Sequence, residues 1–141
     1  MRIAVVYSSR SRKFDGITRT ILATLQSQGH TVDEIRTEKV TRIPSLFQYE
    51  LVFVGSAVEG AWGGKFSESL ESFIKKCSGL QGKRSVVFVY PRPLGTSKAM
   101  KRIMKRLEEK GSIVIDFRSI KTVSQAREFA RRLGERKNRL L

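Results

Sequence analysis

RIAVVY at residues 2–7, followed by SSRSRKFD at residues 8–15, is the stretch that decides the fold of this chain. The first segment is nearly all apolar and rich in valine and isoleucine, which is typical of a strand that is buried on both faces of a parallel sheet. The second segment is a hydroxyl-rich loop, and a helical pattern follows it. Ligands of open α/β sheets bind at such strand-to-helix turns, so we expect the loop at 8–15 to take part in function.

The rest of the chain alternates between strand and helix patterns. The first helix is predicted to begin after Asp15, a favourable N-cap residue, and to end at Gly29. Residues 39–49 show no helical period, which predicts an irregular connection. Ser97 is expected to cap the third helix, and Gly111 to end it. Further strand patterns lie at residues 31–37, 51–55, 85–90 and 112–117, and further helical patterns at residues 66–77, 97–110 and 122–133.

This alternation predicts an α/β fold, a three-layer doubly wound sandwich with a five-stranded parallel sheet and helices on both faces. The second strand is wetter than the others and fits a sheet edge, so the predicted strand order is 2-1-3-4-5. Residues 1–141 are expected to form a single domain. The loops at 8–15, 56–65 and 90–97 should then converge at the switch point between strands one and three.

Composition gives the chain a strongly basic character. Its 28 Lys and Arg residues against 13 Asp and Glu residues give a net charge of +15, which predicts attraction to polyanions. Residues 98–141 alone hold 14 cations and five anions. No apolar run is long enough to cross a bilayer, and the first residues lack a signal-peptide core. The single cysteine, Cys77, fits a reducing compartment, and we expect a cytoplasmic protein with no membrane association.

Several chemistries of doubly wound proteins are excluded by residue type. Polar rather than acidic residues follow strands one and three, so the metal site of a phosphate-accepting receiver is missing. Cys77 lies in a helical pattern and is expected in the core, which removes a thiolate nucleophile from the first loop. His30, the only histidine, is expected to be exposed in a turn at the opposite end of the sheet. We therefore predict no catalytic residue and no metal site.

A binding site for a flat, phosphorylated ligand is consistent with the three loops. Hydroxyls and cations of the first loop lie at a helix N-terminus, which attracts anions. Trp62 is placed to stack on an aromatic ring. Ordinary turn chemistry for the serines and surface packing for Trp62 are the alternatives. The candidate binding residues are Ser8, Ser9, Arg10, Ser11, Arg12 and Lys13 in the first loop, Ala57, Val58, Glu59, Gly60, Ala61 and Trp62 in the second, and Pro91, Arg92, Pro93, Leu94 and Gly95 in the third.

Nearly the whole chain resembles the flavodoxin-like family. VVYSS at 5–9 resembles the entry to the family's phosphate loop, FQYELVFVGSAV at 47–58 resembles the stretch before its second flavin loop, and residues 86–95 take the place of its third. The resemblance implies the strand order 2-1-3-4-5 and noncovalent FMN, used for electron transfer or flavin-dependent reduction. If the protein is an enzyme, the resemblance implies an FMN-dependent oxidoreductase.

Two departures from the family bear on function. RSRKF at residues 10–14 stands where the family usually has Ser/Thr-x-Thr-Gly-x-Thr, so the glycine that lets backbone amides wrap a phosphate is missing. Electron-transfer flavodoxins are commonly acidic, whereas this chain is basic, and like charges oppose encounter. An acidic redox partner is therefore expected in place of a basic one.

Two hypotheses follow from the sequence. The first is an FMN-binding redox protein. The second is a non-enzymatic module without flavin that binds nucleic acid, without sequence preference, or an acidic protein through basic helices at 97–110 and 122–137. A solvated basic surface and adaptation to heat also account for the charge. No feature of the sequence indicates an oligomeric state.

Overall fold

The computed structural model describes residues 1–140, with side chains described for residues 1–135. All five strands run parallel in one sheet of order β2-β1-β3-β4-β5, which confirms the predicted fold class and strand order. Within these residues no helix is sufficiently long and apolar to cross a membrane. The elements are β1 (Arg2–Tyr7), α1 (Arg12–Ser27), β2 (Thr31–Arg36), β3 (Leu51–Ala57), α2 (Glu68–Lys76), β4 (Arg84–Tyr90), α3 (Thr96–Glu109), β5 (Ile113–Ser119) and α4 (Val123–Leu140).

Strand β1 lies inside the sheet because its side chains are apolar on both faces. Ile3 pairs with Val32 of β2 on one side and with Leu51 of β3 on the other. Every residue of β1 after Arg2 is buried, whereas Ile35 is the one buried residue of the edge strand β2. The wetter second strand therefore lies at the edge, as the sequence predicts.

The core forms two apolar clusters, one on each face of the sheet, because successive strand residues point to opposite faces. Val54 and Val87 face α2 and α3 in one cluster, together with Cys77, which is buried as predicted. Phe53 and Val86 face α1 and α4 in the other. Each fully buried aliphatic or aromatic side chain contributes roughly 1.5–3 kcal/mol. The two clusters fix the five parallel strands together, so that the carboxyl ends of the strands lie at the same end of the sheet.

Helix α1 begins earlier than predicted. Its N-cap is Ser11 rather than Asp15, and the Ser11 hydroxyl accepts a hydrogen bond from the N–H of Phe14 at 3.2 Å. The earlier start puts Phe14 on the inner face of the helix, where it is completely buried. Arg12 and Lys13, predicted as loop residues, therefore lie in the first turn of the helix.

The starts of α2 and α3 also differ from the prediction. Ser67 caps α2, so Phe66 precedes the helix, and Cys77 is its C-cap residue. Gly95, at φ 81°, is the N-cap of α3 in place of Ser97. A left-handed residue is required there because the chain turns sharply out of the loop at 91–95, and glycine adopts that conformation without strain.

Helix α4 begins with a capping box, formed by Thr122 and Gln125, and is longer than predicted. The N–H of Gln125 donates to the Thr122 hydroxyl at 3.1 Å, and the Gln125 amide oxygen accepts from the N–H of Thr122 at 3.3 Å. The helix runs to Leu140, past the predicted end at residue 133, and residue 141 lies outside the described residues. Gly134 is buried against Gln28, whose amide nitrogen donates to the carbonyl of Arg131 at 2.9 Å.

His30 lies at the amino end of the sheet, as predicted, but it is buried rather than exposed. Its Nδ1 is 3.2 Å from the amino group of Met1, and the N–H of Thr31 donates to the Met1 carbonyl at 2.9 Å. The turn is folded back on the start of β1, which covers the ring. His30 is therefore remote from the loops at the carboxyl edge.

Candidate functional site

The three loops meet around a pocket of about 350 Å³ at the carboxyl edge of the sheet, at the switch point between β1 and β3. The predicted convergence of the loops is therefore confirmed. Nine of the predicted residues lie outside the pocket wall: Ser9, Arg12, Lys13, Ala61, Trp62, Pro91, Pro93, Leu94 and Gly95. Eight line the pocket: Ser8, Arg10 and Ser11 of the first loop, Ala57, Val58, Glu59 and Gly60 of the second, and Arg92 of the third.

The first loop holds its shape through its own serines. The Ser9 hydroxyl donates to the Ser11 carbonyl at 3.1 Å and accepts from the Ser11 N–H at 3.4 Å. Ser9 is therefore engaged in turn chemistry, one of the alternatives left by the sequence. The N–H groups of Arg12 and Lys13 lie in the first turn of α1, where no helical carbonyl can pair with them. These amides and the helix dipole make this end of the pocket attractive to an anion.

Two residues at the carboxyl end of β2 brace the first loop from the side: Arg36 is the last residue of the strand, and Glu38 follows two residues later. The Arg36 guanidinium donates to the Ser9 carbonyl and to the Asp15 carboxylate, both at 3.2 Å, and to the Glu38 carboxylate at 2.7 Å. Glu38 in turn accepts from the Ser9 N–H at 3.3 Å. This pair was not predicted from the sequence, although its position at the carboxyl end of a parallel strand places it at the same end of the sheet as the first loop.

The carboxylate of Glu38 is held in its charged form. Burial alone would raise the pKa of Glu38, but hydrogen bonds from Arg36 and from backbone N–H groups, including that of Ser9, outweigh burial and lower the pKa. The Ser9 amide therefore already has an anionic partner within the chain. An incoming anion would rely on the other donors of the loop.

A cluster of buried hydroxyls fixes the side chain of Ser8. The Ser8 oxygen accepts from Ser67 at 2.8 Å and from Ser69 at 3.2 Å, and Ser69 also contacts Thr37 at 2.8 Å. The backbone N–H of Ser67 donates to Ser56 at 3.1 Å, which ties the start of α2 to the end of β3. Ser67 and Ser69 were not predicted as site residues because both fall at the start of a helical pattern, where serine is common.

The second and third loops are joined through glycine contacts. The N–H of Gly64 donates to the carbonyl of Gly95 at 3.0 Å, and the Arg92 guanidinium donates to the carbonyl of Gly60 at 2.7 Å. A side chain on Gly63 would overlap the carbonyl of Leu94, so the close approach needs glycine at that position. The two loops therefore form one wall.

Trp62 and Leu94 lie on the outside of this wall. Their exposed fractions are 82% and 59%, which makes them two of the most exposed large apolar side chains in the described part of the chain. Trp62 does not line the pocket; its ring stands on the second loop, two residues beyond the lining residue Gly60. The structure therefore leaves the indole free for a ligand or a partner to contact.

The side chains that line the pocket are two serine hydroxyls, two guanidinium groups, one carboxylate and two small apolar groups, beside a glycine. Tyr7, the last residue of β1, is buried and donates its hydroxyl to Glu34 at 3.2 Å; burial and the Glu34 charge raise the pKa of Tyr7 to about 12. Tyr7 is therefore neutral at ordinary pH. Among the described residues, no group of three or more histidine, cysteine or acidic side chains is arranged to hold a metal ion. The arrangement can hold an anion at the helix end and a flat group beside the second loop.

Solved structures similar to this chain include several flavodoxins. Oxidised flavodoxin 1 from Bacillus cereus superposes with a TM-score of 0.77 at 15% sequence identity and covers 100% of this chain and 99% of its own. A flavodoxin from the domain Archaea gives a TM-score of 0.71 at 23% identity over 95% of this chain and 94% of its own. Oxidised flavodoxin 2 from Bacillus cereus gives 0.76 at 22% identity over 96% and 99%. The chain therefore has a flavodoxin-like fold.

The similarity is confined to structure. No protein-family model matches the sequence, and no curated protein matches it. At these identities the likeness establishes the fold and leaves the ligand to be argued from the residues of this chain.

Proposed function

We propose that this flavodoxin-like chain binds FMN noncovalently in the pocket between its three loops and works as a redox protein. The observation that carries the proposal is the pocket at the switch point, whose wall includes two arginines and the N-cap of a helix, with an exposed tryptophan two residues along the second loop from the lining residue Gly60. FMN supplies reversible one- and two-electron chemistry at its isoalloxazine ring.

The phosphate end of the pocket offers donors of the right chemistry. Ser8 and Ser11 supply hydroxyls, Arg10 supplies a guanidinium, and the first turn of α1 supplies the amides of Arg12 and Lys13. Charge-assisted hydrogen bonds of this kind are roughly twice as strong as neutral ones. We infer that Arg10 compensates for the missing phosphate-loop glycine, because one amide of the loop is already used by Glu38.

The ring end of the pocket offers an aromatic face and a polar wall. The indole of Trp62 is free to stack on the isoalloxazine, an interaction worth about 0.5–1.5 kcal/mol beyond the buried area. The backbone around Glu59 and Gly60 can meet the polar edge of the ring. Glu59 is the one acidic group among the described residues that line the pocket, and none of those residues is a histidine. This composition favours electron transfer over a reaction that needs a positioned acid and base.

A titration with two flavins tests the proposal. FMN and riboflavin share the ring system, but only FMN carries the phosphate. We expect micromolar protein to quench FMN fluorescence, and we expect Arg10→Gln to weaken FMN about 10-fold or more, because a hydrogen bond to a charged group contributes roughly 1.5–3 kcal/mol. Riboflavin affinity should change little in the same variant.

Arg84→Gln serves as the matched control, because Arg84 is an exposed cation at the first position of β4, at the opposite end of the sheet. This control should leave both flavins unaffected. Absence of quenching by the unmodified protein would exclude the proposal. If Arg10→Gln lost the same affinity for FMN and for riboflavin, the FMN phosphate would not lie beside Arg10.

The second hypothesis, a flavin-free module that uses both basic helices, receives less support. Helix α3 packs on one face of the sheet and α4 on the other, so their outer sides point in opposite directions. The predicted basic helix at 122–137 includes residues 136 and 137, whose side chains lie outside the described residues. A common surface for one polyanion would have to pass around the β5 edge.

A further inference from the structure

The outer side of α3 carries a row of unneutralised cations. Lys98, Lys101, Arg102 and Lys105 are exposed and follow the spacing i, i+3, i+4, i+7, which places them on one side of a helix. Within the described residues, no ion pair is formed by these four side chains. The neighbouring Arg106 differs, because it pairs with Glu71 and Glu109, both at 3.0 Å.

This row continues onto the wall of the candidate flavin site. A Cβ at Gly64 would lie 3.0 Å from the Lys98 side chain, so the lysine stem rests on the second loop. Lys65 is exposed on the same loop, and Trp62 and Leu94 stand out from the wall. We name this surface the α3 patch; its members are Trp62, Lys65, Leu94, Lys98, Lys101, Arg102 and Lys105.

The α3 patch has the anatomy of a protein-binding surface. Interfaces combine an apolar or aromatic centre with a polar rim, and tryptophan is enriched among the residues that contribute most to binding. Trp62 and Leu94 provide the apolar part, and the lysines provide a rim of one sign. A complementary rim of carboxylates would steer the partner to this place and fix its orientation.

We propose that the α3 patch docks an acidic electron-carrier protein, a partner class that rests on the proposed redox function. Such docking brings the partner beside the loop that carries Trp62. One electron then passes between the flavin and the partner's one-electron centre; what one gains the other loses, and no bond forms or breaks.

The patch fits an acidic protein better than a nucleic acid. Its four helical cations span about 10 Å along α3, since an α-helix rises 1.5 Å per residue. Glu68 borders the patch in the groove that it shares with Arg102, and its carboxylate interrupts the row of cations that a continuous phosphate backbone would follow. Phosphate contacts would also leave the exposed side chain of Leu94 uncovered. An acidic protein accounts for both the charges and the apolar centre.

The test is a titration with an acidic plant-type [2Fe–2S] ferredoxin at low ionic strength, followed by calorimetry and by the fluorescence of Trp62. The double variant Lys98→Glu/Lys101→Glu reverses two charges of the patch. The control Lys121→Glu/Arg127→Glu reverses two exposed charges next to and within α4, on the other side of the sheet, and gives the same net charge. We expect at least a 10-fold loss of ferredoxin affinity in the first variant and less than a twofold change in the second.

Each outcome decides the proposal. Equal losses in the two variants would show that net charge alone drives association, and absence of ferredoxin binding to the unmodified protein would overturn docking. A 20-base-pair DNA duplex is titrated in parallel. If the patch binds DNA but not ferredoxin, the proposed partner is wrong and the partner is a nucleic acid. FMN quenching is measured separately on the same proteins, so loss of flavin binding with ferredoxin docking intact contradicts the proposed function alone.

Discussion

Replacing Gly95 with alanine tests the contact that joins the second and third loops. Gly95 lies at φ 81°, and a Cβ there would overlap the backbone of Gly63 and Gly64. The left-handed conformation costs a non-glycine residue roughly 1–2 kcal/mol. The overlap adds the cost of pushing backbone apart, about 1–3 kcal/mol by analogy with overpacked cores. The expected loss in the free energy of unfolding is therefore about 2–5 kcal/mol.

Gly82 provides the matched control, because it lies at φ 75° and a Cβ there would meet no atom within 4 Å. Gly82→Ala should lose only the conformational part, about 1–2 kcal/mol. Alanine also restricts the unfolded chain, but this effect is the same at both positions and cancels in the comparison. Urea unfolding of both variants gives the difference directly. Equal losses would refute the claim that packing of the two loops requires glycine at residue 95.

Three further predictions concern buried side chains. Tyr7 has its pKa raised from 10.0 to about 12, so the unfolded chain loses the phenol proton first, and the free energy of unfolding should fall by roughly 2 kcal/mol between pH 10 and pH 12. The same fall in a pH series of urea melts of Tyr7→Phe would contradict this. Burial raises the pKa of the Cys77 thiol, so the native protein should resist alkylation by iodoacetamide while the unfolded protein reacts. Rapid alkylation of the native protein would contradict this prediction. Ile103→Ala should cost about 2–5 kcal/mol in urea melts because the side chain is completely buried, whereas a loss below 1 kcal/mol would not fit that environment.

The fold could be predicted because its signals are local and repeated. Apolar runs such as residues 2–7 and 85–90 predict buried strands whatever their neighbours in the sheet. The more polar residues 31–37 fit only an edge strand. The ends of the helices were less predictable. Ser11 and Asp15 are both good cap residues, and the choice between them depends on burying Phe14, a tertiary effect that the local sequence does not contain.

The candidate site could be predicted in outline but not in its internal contacts. Loop positions follow from strand order, so convergence on one pocket was predictable. The bonds of Arg36 and Glu38 to the first loop depend on the register of β2 against β1, which pairs Tyr7 with Arg36. His30 shows the same limit, because its burial results from a contact with Met1, 29 residues away in the chain.

Bracing of the first loop by β2 links the order of the pocket to an edge strand of the sheet. Edge strands open more readily than central ones, and Arg36 and Glu38 leave with β2 when it detaches. Amide hydrogens of β2 and of the loop at 8–11 should then exchange with solvent in one cooperative step, at a lower free energy than those of β3 and β4. A ligand that orders the loop would slow amide hydrogen exchange along the whole of β2. Its binding would therefore be visible by hydrogen exchange several residues away from any atom that it touches.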